Sequence, residues 1–296
     1  MIDPRLLRTF LAVCRERSIS AAARALNISQ PSVSVAVAQL EQKLGTSLFT
    51  RSRLGIVLTP VGQTVMGRAE AMEALLQGTE DEVALTLRGV QGPLRIGGTP
   101  GALVSLVPDA IARMPQGERL SLHILERSDH ELTSLLRKAE IEVAVATTGL
   151  EAPPDDIEER SIARDPFALI VGRAHPDLGP SVSLRDTAEW GWVLPQAAGA
   201  FHRQIEALFL AAEMVIPADV IRCDSLLTSK AIVRETHRVT ILPQGVVAAE
   251  VSIGALRAVT IRDAEFVRNV GIRLSKNHRL SRLGERFVTA ISTSVT

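Results

Sequence analysis

Residues 21–63 read AAARALNISQPSVSVAVAQLEQKLGTSLFTRSRLGIVLTPVGQ, and this stretch decides the fold. Its first half holds two helical segments three residues apart. Ala21–Leu26 is short and rich in alanine, so a second helix can approach it closely. Ser20 is placed to cap it, its hydroxyl accepting from an orphan N–H of the first turn. Asn27–Ile28–Ser29 makes the turn. Ser29 suits the cap of the next helix, and Pro31 falls in its first turn, where a missing N–H costs nothing. Val33, Val37, Leu40 and Leu44 recur inward at helical spacing, and Gly45 ends the helix. Two helices joined in this way describe a helix-turn-helix.

Working outward, residues 5–16 form an amphipathic helix whose apolar face is Leu6, Leu7, Phe10, Leu11 and Val13. Leu48–Phe49 closes the small core. Thr50–Gly55 followed by Ile56–Leu58 reads as a basic hairpin, a wing carrying Arg51 and Arg53. The second helix of the pair opens with Ser29, Gln30, Pro31, Ser32 and Ser34. Free N–H groups at such an end accept a phosphate, and Gln30 can reach a base edge. The charge agrees. Residues 1–60 carry eight basic and three acidic side chains, net +5, whereas the remaining 236 carry 25 and 30, net −5. The other reading of the spacing is a small helical bundle with a hydroxyl-rich cap.

Thr59 caps a long helix with Pro60 at its first position. Val65, Ala69, Met72, Leu76, Val83 and Leu87 share one stripe with near-heptad steps, so this rod of roughly 45 Å expects a partner. Gly89–Val90–Gln91–Gly92–Pro93 then makes a hinge. Beyond it strands and helices alternate, which means βαβ units and a mostly parallel sheet. The strands are Leu94–Gly98, Leu120–Glu126, Glu142–Ala146, Phe167–Val171, Trp190–Leu194, Val220–Cys223, Val239–Leu242, Leu256–Ile261 and Val270–Ser275. The helices are Ala102–Arg113, broken near Pro108, His130–Lys138, Arg203–Ala212, Leu226–Glu235 and Leu280–Ile291. Glu151–Glu159 reads as a charged linker, and the final strand and helix return to the first lobe.

Other classes fit poorly. Two cysteines, Cys14 and Cys223, are too few for a disulfide framework and read as small buried hydrophobes. With 7 Phe, 2 Trp and no Tyr, base-stacking platforms are disfavoured. Arg5 and Arg8 interrupt the first apolar stretch, so no signal peptide is expected, and no span of 18 apolar residues occurs. The expectation is a cytoplasmic chain with no membrane partner. The sequence lacks P-loop, GxGxxG, HExxH, GxSxG and CxxC motifs, and its six histidines show no ligand spacing. No catalytic residue, metal or cofactor is expected.

The whole N-terminal stretch resembles the winged helix-turn-helix of LysR-type transcriptional regulators. The matching positions are Ser18, Ala22–Ala23, Leu26, Ser29–Gln30–Pro31, Ser34, Leu40–Glu41, Leu44–Gly45, Leu48–Phe49, Arg51, Leu58–Thr59 and Gly62. Chain length and the order of later elements extend the resemblance over the chain. Three positions depart from it: Ala21, Val35 and Ala38 stand where many relatives carry basic residues. Each lost cation removes up to one phosphate contact, lowering the salt slope by roughly 0.9.

The resemblance implies an N-terminal all-α winged helix-turn-helix over residues 1–58, with Ser20, Ser29, Gln30, Pro31, Ser32, Ser34, Arg51 and Arg53 on double-stranded DNA. A linker and dimerisation helix follows over 59–89. Residues 90–296 form an α/β two-lobed effector domain of the periplasmic-binding-protein type, with lobe 1 at about 91–161 and 267–296 and lobe 2 at about 162–266. A homodimer, two of which pair as a homotetramer, is implied, with RNA polymerase as a further candidate partner.

In such lobes a ligand sits beyond strand ends, at helix N-termini. Thr99, Pro100 and Gly101 follow the first strand, and Thr148 follows the third. Phe201, His202 and Arg203, in the loop from Ala198, and Ser225 with Leu226 occupy the same places in lobe 2. The hydroxyls of Thr99 and Ser225, with free N–H groups nearby, suit a carboxylate or other small anion, such as an aromatic or sugar acid. Thr236 and Arg238 stand where the family often has glycine, which leaves the loop conformation there open. The alternative function is a cytoplasmic solute-binding protein or enzyme that uses the N-terminal helices for assembly only.

Overall fold

The computed structural model describes residues 1–52, 55–196, 199–264 and 266–293. Two compact units emerge, Met1–Pro93 with Arg137–Glu140, and Leu94–Leu136 with Ile141–Thr296.

The first unit opens with α1 (Pro4–Glu16), α2 (Ile19–Leu26) and α3 (Gln30–Leu44). Phe10, Leu11, Leu40 and Leu48 are almost wholly buried in one cluster, and Val13, Ala22, Ala23 and Val33 in an adjoining one. Ser18, not Ser20, caps α2, accepting from Ala21 N at 3.3 Å. Starting two residues earlier brings Ile19 against the buried alanines, and the apolar contact decides between two adequate caps. Asn27 takes the left-handed conformation that turns the chain toward α3. Ser29 caps α3, accepting from Ser32 N at 3.2 Å. Gly45 ends it at φ +68°, where a side chain would be strained.

The antiparallel strands β1 (Phe49–Ser52) and β2 (Gly55–Leu58) follow. Glu41, on α3, accepts from Leu48 N at 2.7 Å and Phe49 N at 3.4 Å, and so fixes where the hairpin begins. Thr59 caps α4 (Pro60–Thr86) by accepting from Gly62 N at 2.9 Å. Its apolar stripe is divided. Ala69 is buried and Val65 packs on the unit's own core, whereas Leu76, Val83 and Leu87 are at least half exposed.

The second unit is built on β3 (Gln91–Gly98), β4 (Leu120–Glu126), β5 (Val143–Thr148), β6 (Ile157–Gly172) and further strands described below. Helices α5 (Pro100–Arg113) and α6 (Asp129–Arg137) connect the first of them. The hinge is shorter than the glycines suggested, since β3 already begins at Gln91. Helix α5 runs unbroken through Pro108, which is exposed, so the carbonyl that it leaves unbonded can be hydrated. Glu151–Glu159 is not a linker throughout, because β6 starts at Ile157 and includes Glu158 and Glu159.

Beyond β6 come β7 (Ser181–Val182), a 3-10 turn at Leu184–Thr187, β8 (Trp192–Leu194), α7 (Ala200–Ala211), β9 (Val220–Arg222) and α8 (Leu226–Glu235). Then follow β10 (Thr240–Pro243), α9 (Gln244–Ser252), β11 (Leu256–Ile261), β12 (Val267–Ser275) and α10 (Arg282–Ser292). The main sheet has the order β4-β3-β5-β12-β6-β11-β7, with β10 also on β6.

The sheet is mixed rather than mostly parallel. Strand β3 is parallel to β5, but β12 is antiparallel to both β5 and β6. The first half of β6 pairs with β12, and the second half with β10 and β11. The two long strands β6 and β12 thus carry the chain from one lobe to the other and back. Leu94, Val145, Ile272 and Phe287 anchor the core of lobe 1, and Leu169, Trp192, Phe209 and Ile241 that of lobe 2.

Candidate functional site

In the first unit, Gln30, Pro31, Ser32 and Ser34 are exposed along the start of α3, and Ser29 is exposed at its cap. Ser20 is exposed in the first turn of α2. Arg51 lies in β1 by its backbone, and Arg53 falls outside the described residues. The exposed side chains at the start of α3 can donate and accept, although the helix end itself is largely satisfied, since Pro31 has no N–H, Ser32 N bonds Ser29 Oγ and Val33 N bonds Ser29 O, so this face meets phosphates and base edges through its side chains.

The second unit holds a cavity of about 720 Å³ between strand ends of both lobes, a volume suited to a small molecule. Thr99, Pro100, Gly101, Phe201, His202 and Leu226 all line it. The other three expected residues do not. Thr148 is buried with its hydroxyl 2.9 Å from Ser161 Oγ, and its strand neighbour Thr147 faces the cavity instead, as the alternation of a strand dictates. Ser225 is occupied as the cap of α8, accepting from Thr228 N at 3.3 Å. Arg203 points to solvent, 3.5 Å from Glu151.

The polar inventory of the cavity is uneven. The first turns of α5 and α7 face it, one from each lobe, and neither has a side-chain cap. The Thr99 hydroxyl, at the start of α5, has no hydrogen-bond partner among the described residues. His202, in the first turn of α7, places Nε2 3.3 Å from Glu206 Oε1 and leaves Nδ1 buried without a partner among the described residues. With Nε2–H turned to the carboxylate, Nδ1 accepts from a ligand in the neutral ring and donates in the imidazolium. By contrast, both oxygens of Asp129 accept from Arg273 Nη1, at 2.9 and 3.0 Å, Glu131 accepts from Ser128 N at 3.0 Å, and Asp224 from Gln196 N at 2.8 Å.

A buried ion pair floors the cavity. Arg268, on β12, is 2.7 Å from Asp165 on β6, with side-chain exposures of 4% and 7%. Arg268 also donates to Ser105 Oγ at 3.1 Å and Gly101 O at 3.3 Å, while Asp165 accepts from Gly245 N at 2.8 Å. Burial lowers the Arg268 pKa, and the facing carboxylate opposes that shift. The pair ties both inter-lobe strands to the starts of α5 and α9. Sequence reasoning missed it because its members lie 103 residues apart, and the only hint was an arginine set inside an apolar strand.

A second such knot holds Arg273 between Glu159 at 2.7 Å and Asp129. The expected charged linker therefore supplies a buried structural carboxylate. Cys223 is partly buried, packed against a core cluster of lobe 2 and also lining the cavity. Thr236 is extended, and Arg238 donates to Asp219 at 2.8 Å, so this loop needs no glycine.

A winged helix-turn-helix preceding a two-lobed unit with a ligand-sized cleft defines a DNA-binding regulator that carries its own sensor. The family of bacterial regulatory helix-turn-helix proteins of the LysR type matches residues 4–63, and the LysR substrate binding domain matches residues 87–295. The chain belongs to the LysR family of transcriptional regulators, which sets aside the reading of its N-terminal helices as mere assembly elements.

The transcriptional regulator PcaQ of Agrobacterium fabrum is 25% identical over 280 residues, spanning 92% of this chain and 89% of that protein. The regulator BbuR of Bordetella bronchiseptica is 29% identical over 273 residues, spanning 90% and 82%. Among solved structures, full-length CbnR complexed with its target DNA superposes with a TM-score of 0.65 at 21% identity, covering 99% of this chain and all of that one.

Proposed function

We propose that this regulator binds operator DNA as a dimer or dimer of dimers, and that a small organic carboxylate in the cavity sets its activity. The observation that carries the ligand class is the pairing of two uncapped helix starts across the cleft. The α5 start presents the free Thr99 hydroxyl, and the α7 start presents His202 with its unpartnered Nδ1. An anion between them gains two helix dipoles and bridges the lobes. Phe201, Leu226 and Pro100 supply apolar walls for the rest of the molecule.

On the DNA side, Gln30, Ser32 and Ser34 read and position, with Ser20, Ser29, Pro31, Arg51 and Arg53 at the backbone. The exposed half of the α4 stripe, Leu76, Val83 and Leu87, forms the seam with a second copy. A two-fold dimer then presents two α3 helices to successive major grooves. The structural neighbour CbnR has itself been solved with its target DNA, which is in keeping with DNA binding by this fold. No described helix is long and apolar enough to cross a membrane, in keeping with action in the cytoplasm. The chain is proposed to act without catalysis, with RNA polymerase as its partner in activation.

A thermal-shift screen of small carboxylates, amines and neutral sugars against the full chain tests the ligand class. The expected result is stabilisation by a carboxylate that Thr99→Val abolishes. Stabilisation by amines alone would overturn it.

A further inference from the structure

The outward face of α3 carries a feature that the reading of phosphate and base-edge contacts leaves unused. Val33, Val37 and Leu40 point into the core. At 3.6 residues per turn, the line nearly opposite them is Pro31, Val35, Ala38 and Gln42. All four are exposed, and Val35 is 54% exposed. No charged side chain stands on this helix from Gln30 to Gln39, since Glu41 is turned to the hairpin and Lys43 lies in the last turn.

An exposed valine by itself is ordinary. Its place is what matters here. In the major groove the outward line of the recognition helix meets base edges, and those edges offer hydrogen-bonding groups and one apolar group, the thymine 5-methyl. Valine cannot pair with the former. Set against them it would leave polar atoms desolvated and unpaired, whereas against a methyl it buries apolar surface.

We propose that Val35 is a specificity-determining residue that selects thymine by contact with its methyl group. The proposal rests on α3 entering the major groove, as in the function above. Val35 lies five residues beyond Gln30, about 7.5 Å along the helix axis. That distance confines the thymine to within about two base pairs of the base that Gln30 contacts. Specificity here comes from shape at the centre of the helix, where a cation would have supplied sequence-independent affinity.

The test uses the full chain and the duplex it selects from a random-sequence pool. Each thymine of that duplex is replaced in turn by deoxyuridine, which removes only the methyl group, and Kd is measured by fluorescence anisotropy. One thymine per half-site should show about four-fold weaker binding on replacement, the factor for one buried methyl. In Val35→Ala the same replacement should change Kd by less than about 1.5-fold.

A second variant, Val35→Arg, should steepen the plot of log Kd against log salt by about 0.9 per arginine that reaches a phosphate. A uracil effect of equal size in Val35→Ala, or no uracil effect at any position, overturns the proposal while leaving DNA binding intact. Failure to select any sequence removes the DNA-binding reading and the proposal with it.

Discussion

Asp165→Asn should destabilise the effector unit by about 3–5 kcal/mol, because it strands a buried guanidinium. The size follows from the surroundings. Arg268 is 4% exposed at the side chain, and Asp165 is its only carboxylate partner among the described residues, bonded through Nη2 at 2.7 Å and Nε at 3.2 Å. The remaining acceptors, Ser105 Oγ and Gly101 O, are neutral and cannot replace the charge. Arg268→Met should be damaging as well, leaving the Asp165 carboxylate buried with Gly245 N and Ser105 Oγ as its donors among the described residues. The double variant Asp165→Leu/Arg268→Met should recover most of the loss, since an apolar pair replaces a desolvated ionic one.

Trp190 and Trp192 both lie in lobe 2 and are the chain's two tryptophans, so urea unfolding followed by their fluorescence reports this unit directly. With m near 2–3 kcal/mol/M, the single variants should lower the midpoint by about 1–2 M. Single variants within about 1 kcal/mol of the parent, or a double variant as unstable as the two losses added, would refute the reasoning.

Gly62→Ala would place a Cβ 2.2 Å from Leu48 O and 2.9 Å from a Leu58 methyl, so the hairpin and α4 must separate. Its DNA affinity should fall together with the stability of the N-terminal unit, and parent-like unfolding would contradict this. Burial pushes the Cys14 thiol up to about 12, with Glu70 adding to the shift, whereas Cys223 opens on the cavity. One thiol per chain should therefore react readily with a disulfide reagent at pH 8, and bound effector should slow it; Cys223→Ser removes that fast phase. His175, its ring tilted 52° to that of Trp190 with centroids 4.5 Å apart, has its pKa lowered below the ordinary 6.5, first by burial and then by the nearby Arg257 and His237, against a backbone hydrogen bond that raises it. The unfolded chain then binds the proton more readily than the folded one, so stability falls as pH drops from 6.5 through the folded-state value. His175→Asn should flatten that part of the pH profile of the urea midpoint.

What local rules decide was readable in the sequence. The cap of α3 at Ser29, the stop at Gly45 and the Thr59–Pro60 start of α4 all follow from side chains within three residues. Where two local solutions were equal, tertiary contact chose, as Ile19 did in favour of Ser18 over Ser20. Helix α9 was missed because its apolar residues, Val246, Val247 and Val251, follow no clean helical stripe, and it packs against both the sheet and α5.

The cavity shows the same division. Positions just after strand ends could be read from strand-helix alternation, and six of the nine line the cleft. Thr148 missed because a one-residue error along a strand changes the face. The partnerships of Asp165 with Arg268 and of Glu159 with Arg273 could not be read, since each forms through the pairing of β6 with β12.

The central claim is that one chain couples a carboxylate in the lobe cleft to sequence-specific DNA binding. Fluorescence anisotropy of the selected duplex, with and without the carboxylate found by thermal shift, tests it most directly. The account predicts binding that weakens steeply with salt, a change in operator affinity on adding the carboxylate, and loss of that change in Thr99→Val with ligand-free affinity kept. A carboxylate that stabilises the parent chain yet leaves its operator binding unchanged, or a Thr99→Val chain that responds like the parent, would contradict it.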